Sequence, residues 1–357
     1  MKVILYDARD IPSEVVGAWR ALMQCHQALD NPLLSPTWIQ QIAAAKNGAE
    51  VGVVVQDDRP TACLTFERRN GQGFPPGGTL SDLHGFVAPP ALQMDAAEVV
   101  RQCGLTALHY DHLPAEQQWF SRYHARLEAA PLIVMQDGFD EYWRQRRAAS
   151  PDRIRQIERK SRKIMREVGP LRFVWQDTDA SSLDSLISWK RRQLRASGFI
   201  DIFARKWMRP LLEQLIASQA AECQGVLSTL LAGDKLVAVH LGICNRHTMV
   251  SSIPTFDQAC SSYSPGAVLH MELAKAAAER GIRTIDLGCG GNSLKYALGS
   301  TTRELAVGTI DLQPARRWCR IWWHRLRGMM HSSSLGRLPI RAYRQIRRLA
   351  GDGDPSR

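Results

Sequence analysis

Apolar and polar positions along the chain fall into two patterns, and each pattern occurs twice. From Val51 to Phe66 two apolar runs flank a polar turn around Asp57 and Asp58, and from Leu227 to Ile243 two more flank Gly233 and Asp234. Apolar runs of this length, rich in Val, Leu and Thr and broken by Asp or Gly, predict β-hairpins. Farther along, Pro89 to Leu108 reads as a proline-led helix, a stop at Gly104 and a strand. Tyr263 to Leu287 repeats that plan, with a helix from Ala267 to Arg280, a stop at Gly281 and a short strand from Thr284 to Leu287. The offset between the copies stays near 176 or 177 residues in both comparisons. A constant offset across two unlike patterns points to duplication. Identity between the copies is low, so this is shared architecture and not a solenoid array, whose period would be far shorter.

The patterning therefore predicts an α/β (α+β) chain with two similar halves, about 1–140 and 171–312, each a mixed sheet flanked by helices. Between them, 141–170 holds a charged helix from Asp152 to Val168, with Ser150 as its cap, Pro151 at its first position and Gly169-Pro170 at its end. A tail, 313–357, follows the second half.

A chain of 357 residues has room for two ordinary domains, and a hydrophobic content of 45% supports packed cores, which excludes a disordered chain. No run approaches the roughly 18 uninterrupted apolar residues of a spanning helix. The start, MKVILYDARDIPSEVV, turns polar too early for a signal peptide, so a cytoplasmic location is expected. The eight cysteines are scattered without a CxxC pair, as reduced thiols are. His109 and His112 stand three apart with no evident third ligand, and no metal is expected.

Charge is uneven. The net charge is +11, and Arg316 to Arg348 contains ten arginines and no acidic residue. There Trp318, Ile321, Trp322 and Leu326 fall at helical spacing, which predicts a basic amphipathic helix suited to the surface of an anionic inner membrane. Docking on its own domain is the plainer alternative, and nucleic acid is not expected as the partner. A second basic stretch covers the connecting helix with Arg153, Arg155, Arg159, Lys160, Arg162, Lys163 and Arg166. Such a row is usually a solvated face. Trp189-Lys190-Arg191-Arg192 sets an aromatic beside three cations, suitable for a sugar ring or an anionic saccharide.

The most informative stretch is Tyr263 to Leu298. Tyr263-Ser264-Pro265-Gly266-Ala267 opens a helix, and such an end offers backbone N–H groups to anions, above all the pyrophosphate of a nucleotide-like cofactor. The strand at Asp286 runs into Gly288, Gly290 and Gly291, where a ligand can approach the backbone closely, and Lys295-Tyr296 follows. Together the two features suggest a transferase holding an acyl-CoA-like donor.

Taken in order, the hairpin ending Leu236-Val-Ala-Val-His240-Leu, then Phe256-Asp257, Tyr263-Ser-Pro-Gly266, Gly281-Ile-Arg-Thr-Ile-Asp286-Leu-Gly288 and Lys295-Tyr296 resemble the GNAT-superfamily acetyltransferases of the cellulose-biosynthesis type, relatives of the Fem peptidyltransferases found near exopolysaccharide genes. The resemblance extends over about 150–310 and more loosely over the first half. It implies two tandem GNAT-like halves and acyl transfer from acetyl-CoA or another acyl-CoA to an amine or hydroxyl of a saccharide or lipid-linked saccharide in cell-surface polysaccharide synthesis. Of the family's Gln/Arg-x-x-Gly-x-Gly/Ala phosphate loop, the run Tyr263 to Val268 keeps the central Gly266 and departs at Tyr263 and Val268. A Fem-like transfer from aminoacyl-tRNA and a non-catalytic scaffold or carbohydrate-binding subunit are the rival readings.

Acyl transfer needs a base, an oxyanion donor and two substrates held together. His240, on the second hairpin strand, is the first candidate for the base. Asp257 and Asp286 are candidates to orient it or to act themselves, and Tyr296 to protonate the leaving thiol. Tyr263, Ser264, Gly266 and Ala267 are expected at the donor phosphates. Lys295, Trp189, Lys190, Arg191, Arg159 and Arg162 are expected to hold an anionic acceptor.

Overall fold

The computed structural model describes residues 1–89, 92–290 and 293–313. The tail segment 316–348 and Gly291 lie outside the described residues. The elements of the first half are β1 (Lys2–Asp7), α1 (Ser13–Cys25), α2 (Pro36–Ala45), β2 (Ala49–Gln56), β3 (Arg59–Arg69), β4 (Gln72–Phe74), β5 (Phe86–Val87), α3 (Ala96–Gln102), β6 (Ala107–Pro114) and β7 (His124–Val134). The connecting region forms a helix pair, α4 (Gly138–Ala149) and α5 (Pro151–Glu167). The second half contains β8 (Leu171–Val174), α6 (Ala180–Ala196), α7 (Met208–Ala217), β9 (Gln224–Ala232), β10 (Lys235–Cys244), β11 (Thr248–Phe256), α8 (Pro265–Ala278), β12 (Thr284–Asp286), α9 (Ser293–Leu298) and β13 (Thr301–Asp311).

Both predicted hairpins form. β2 and β3 turn at Asp57 and Asp58, and both residues take positive φ. β9 and β10 turn at Gly233, φ 59°. Both helix stops form as well, with Gly104 at φ 66° and Gly281 at φ 80°, the left-handed conformation that glycine enters at least cost. α5 starts on Pro151 as expected, but the Ser150 side chain makes no capping hydrogen bond. Ile154 N–H makes the ordinary first helical bond to the Ser150 carbonyl, and buried isoleucines hold the helix down.

The described strands form a single mixed sheet in the order β1-β2-β3-β4-β6-β13-β7-β12-β11-β10-β9-β8, with β5 paired to β3. At its centre the last strands of the two halves change places. β7 pairs antiparallel with β12, Ile133 opposite Ile285, and with β13, Glu128 opposite Leu305. β13 in turn lies next to β6 of the first half.

Residues Met1–Ile310 make one compact unit. One apolar cluster runs through it, taking Trp19, Trp38 and Ile42 from the first half and Leu211, Leu215 and Leu241 from the second. Polar contacts tie the same faces: Arg20 forks onto Glu222 at 2.8 and 2.9 Å, and Thr37 also donates to Glu222. Among the described residues no helix is long and apolar enough to cross a membrane.

Candidate active site

β12 is short. It runs parallel to β11 only where Thr284–Asp286 faces Thr248–Val250. β11 continues to Phe256 on β10 alone, so from Ser251 its second edge has no partner strand among the described residues. The chain leaves β11 toward α8 and leaves β12 toward α9. Diverging strand ends of this kind open a crevice at the carboxyl edge of the sheet, where α/β folds take their ligands.

Charged side chains from both halves meet at the end of β12. Asp286 is buried; its Oδ1 accepts the Gly288 N–H at 2.8 Å, and its Oδ2 lies 3.4 Å from Arg303 Nη1. Lys295, on α9, donates to the Cys289 carbonyl at 2.8 Å, which ties the helix to the glycine loop. Gly288 has φ 69°, and a Cβ placed there would stand 3.4 Å from Asp82 Oδ2. Asp82, arriving from the first half, thus lies against the loop at contact distance. His112, on β6, holds Asp111 Oδ1 at 3.0 Å through Nδ1. Lys190, on α6, donates to the Pro254 carbonyl on the open edge of β11 at 3.2 Å.

These groups set one another's ionisation. Burial pushes the Asp82 carboxyl up to about 6, with Asp286 and Asp111 adding to the effect and His112 and Lys295 opposing it. Burial works against a charged His112, yet hydrogen bonds to Asp111 and Cys289 and the nearby carboxylates lift it to about 10. Burial also lowers Lys295 and Lys190, the latter helped by the charge of Lys295, while Asp82 pulls the other way in both. Burial raises Asp286 against the pull of Arg303. At neutral pH the site therefore holds the His112 imidazolium beside the Asp82 and Asp111 carboxylates, with the partly desolvated amines of Lys190 and Lys295 close by.

Of the residues expected from sequence, Asp286, Lys295 and Lys190 come together here. His240 does not join them. It is fully buried in β10, and burial followed by the neighbouring His270 holds its ring well below the ordinary value. Its Nε2 lies 3.0 Å from Ser251 Oγ, which lies 3.3 Å from His270 Nε2; His270 Nδ1 meets the Gly266 carbonyl at 2.7 Å. A carbonyl only accepts, so His270 carries its proton on Nδ1, Ser251 donates to Nε2 of His270, and His240 donates to Ser251. The histidines brace β10, β11 and α8, and no substrate proton reaches His240 in this arrangement. Asp257 accepts the Ala259 N–H at 3.0 Å and pairs with Lys235 at 3.3 Å, closing the turn after β11. Tyr296 stands 48% exposed beside Lys295.

At the start of α8, Ser264 takes φ 51° and its carbonyl receives the Ala267 N–H at 2.9 Å. Tyr263 lies under Lys163, 5.3 Å from ring centroid to ammonium, and Lys160 donates to the Ser262 carbonyl. The expected phosphate end thus has two lysines of α5 around it. Arg159 and Arg162 face solvent on the same helix. Arg191 is committed to Asp201 at 2.9 Å, and Trp189 packs against the main apolar cluster.

Residues 151–296 match the family model described as an acetyltransferase (GNAT) domain. The match covers less than half of the chain and makes this stretch similar to GNAT acetyltransferase domains. No curated protein matches the chain. Among solved structures, FemX superposes with a TM-score of 0.58 at 11% identity over 90% of this chain and 99% of its own. The C-terminal domain of a lysylphosphatidylglycerol synthetase from Agrobacterium fabrum gives 0.52 at 11% over 87% and 95%. A tandem GNAT protein from the clavulanic acid biosynthesis pathway gives 0.50 at 10% over 88% and 99%. Identities this low establish the fold alone, and the fold they establish is the tandem one. The GNAT assignment places the open edge of β11 and the start of α8 within the matched region, and Asp82 and His112 outside it.

Nothing local in the sequence marks Asp82 or His112 as site residues; both owe their surroundings to Asp286, Cys289 and Lys295, more than 170 residues farther along the chain.

Proposed function

We propose that this protein is an acyltransferase that moves an acyl group, acetyl in the simplest case, from acyl-CoA to an amine or hydroxyl of a saccharide precursor used in cell-surface polysaccharide synthesis. The observation that carries the transferase reading is the gathering of Asp82, His112, Lys190, Asp286 and Lys295 at the open edge of β11 inside a GNAT-fold domain. The saccharide acceptor comes from the resemblance of the sequence motifs, and the basic lining is compatible with an anionic one.

The residues at the start of α8 suit a phosphate-bearing donor. Lys160 and Lys163 supply positive charge, and the first turn of the helix supplies the Gly266 N–H. A Cβ at Gly266 would lie 3.5 Å from the Phe256 ring, an ordinary contact, so this glycine is a position where added charge can be tested without a clash. Bound acyl-CoA supplies the activated thioester carbonyl. Asp82, ionised above about pH 6, takes the proton of the attacking amine or hydroxyl. We place the base there and not at His240, because a base must reach the proton it removes. His112, held cationic, offsets the charge of Asp82. Lys190 and Lys295 face the acceptor's anionic group or the developing oxyanion. Tyr296, exposed beside Lys295, is placed to return a proton to the departing thiolate.

Calorimetric titration with acetyl-CoA tests the reading. The wild type and Gly266→Ala should bind at micromolar concentration, and Gly266→Asp should lose binding, because a carboxylate then stands where the phosphates belong. Absence of wild-type binding would overturn the acyl-CoA assignment and favour an aminoacyl-tRNA donor, for which the cation row of α5 is the natural RNA contact.

A further inference from the structure

A second surface feature is left over once the crevice is explained. Phe199 and Ile200 are 69% and 58% exposed, adjacent in sequence, at the turn that follows α6. Their backbone is tightly specified. Gly198, φ 67°, ends the helix; its N–H returns to the Arg195 carbonyl at 3.1 Å, and the Phe199 N–H reaches the Leu194 carbonyl at 2.9 Å. That pair of bonds is the Schellman closure, in which the residue after the glycine commonly folds its apolar side chain back onto the helix. Here Phe199 stays in solvent. Beyond it, Asp201 is clamped by Arg191 at 2.9 Å and Arg195 at 3.1 Å, and Phe203 is buried. The turn is anchored on both sides, so two large apolar side chains are held out on a fixed support.

The surroundings are cationic. Between residues 185 and 212 the sequence has seven Lys and Arg and one acid, Asp201. Arg192, Arg195, Arg205 and Lys206 are all exposed around the tip. An exposed apolar point ringed by cations matches the outer layers of an anionic bilayer, with acyl chains for the point and headgroup phosphates for the ring. RNA suits it less well, since base stacking uses an aromatic face and leaves Ile200 without a role. A protein partner would need an apolar patch well beyond two side chains, given that stable interfaces bury upward of about 1,000 Å².

We infer that the Phe199–Ile200 turn inserts into the headgroup region of an anionic membrane and sets the crevice beside it. Lys190, which faces the crevice, lies six residues before the end of α6, roughly 9 Å along it at helical rise. An acceptor carried on a lipid would then meet the catalytic groups without leaving the surface. The inference deepens the proposed acceptor class, yet vesicle binding is measured with no acyl-CoA present, so its failure and the failure of the transferase reading are separate results.

The experiment uses the full chain with vesicles of equal parts phosphatidylglycerol and phosphatidylcholine, and with pure phosphatidylcholine. The wild type should sediment with the anionic vesicles only. The pair Phe199→Asp and Ile200→Asp should weaken binding by about tenfold or more while leaving the melting temperature unchanged, since both side chains are exposed. A dansyl amino acid incorporated at position 199 reports the tip independently of the basic tail and should shift to the blue on anionic vesicles. Unchanged binding by the aspartate pair, or vesicle binding without a blue shift at position 199, would overturn the inference. So would transfer-RNA binding that the aspartate pair abolishes while vesicle binding persists.

Discussion

At Asp82 two effects compete. Desolvation favours the neutral acid, and the charges of His112 and Lys295 favour the carboxylate; desolvation wins, leaving a group that titrates near 6, above its ordinary 3.8. A base poised there is mostly ionised at neutral pH and still basic enough to accept a proton. Asp82→Asn should lower kcat/KM by about 100-fold to 10,000-fold and should erase the acid limb near pH 6 expected in the wild-type profile. Stability moves the opposite way. The folded pKa is raised, so the neutral carboxyl's contribution is complete below about pH 4 and is lost as pH rises through about 6. Thermal melts at pH 4.5 and 7.5 should therefore differ less for Asp82→Asn than for the wild type; an equal difference would mean that Asp82 is not buried as described. Gly288 belongs to the same argument. With φ 69° and Asp82 in contact with the loop, Gly288→Ala should cost about 1–2 kcal/mol in chemical denaturation, from backbone strain, and reduce turnover as well. Asp286 and Lys295 were readable in sequence because they flank a glycine loop after a strand. Asp82 was not, because its environment is made by residues from the other half. His240 looked catalytic by residue type and strand position, and only the packing of β10 under β11 and α8 shows that it is sealed.

Single elements were the most legible level. α5 declares itself through Pro151 at its start and Gly169-Pro170 after its end. Its row of cations is what composition shows; the structure adds a buried stripe of Ile154, Ile157, Ser161 and Ile164 on the opposite face. The consequence can be measured. Ile157→Ala should destabilise the protein by about 2–4 kcal/mol, while Arg159→Ala and Arg162→Ala, exposed on the outer face, should each stay within about 0.5 kcal/mol by denaturant titration. The hairpins and the glycine stops were equally legible, because turn chemistry is local. β12 was legible as a short strand too. What no local pattern carries is its placement: its three paired residues lie between β11 and β7 and leave the rest of the β11 edge open.

At the level of the molecule, the repeat predicted two halves, and the sheet joins them by exchanging their last strands. β7 is read in sequence as the end of the first half, yet in space it lies between β13 and β12; β13 ends the second half and lies between β6 and β7. Sequence offset cannot show this, since a strand's partner is chosen by non-local pairing, and both choices keep the same alternation of apolar residues. The exchange makes each half incomplete alone. A chain cut after residue 140 would leave β6 without β13, and β7 without either neighbour, as unpaired edges prone to association. The shared apolar cluster of Trp38 and Leu215 would be cut as well. Residues 1–310 should therefore unfold in one cooperative step. Far-ultraviolet dichroism and tryptophan fluorescence should give coincident transitions, and the calorimetric and van't Hoff enthalpies should agree. Two resolved transitions, or a soluble and cooperatively folded 1–140 fragment, would show that the halves are independent and that the exchange only decorates them. A single step would mean that the crevice, built from Asp82 and His112 on one side and Asp286 and Lys295 on the other, is held by the same cooperative unit that holds the fold.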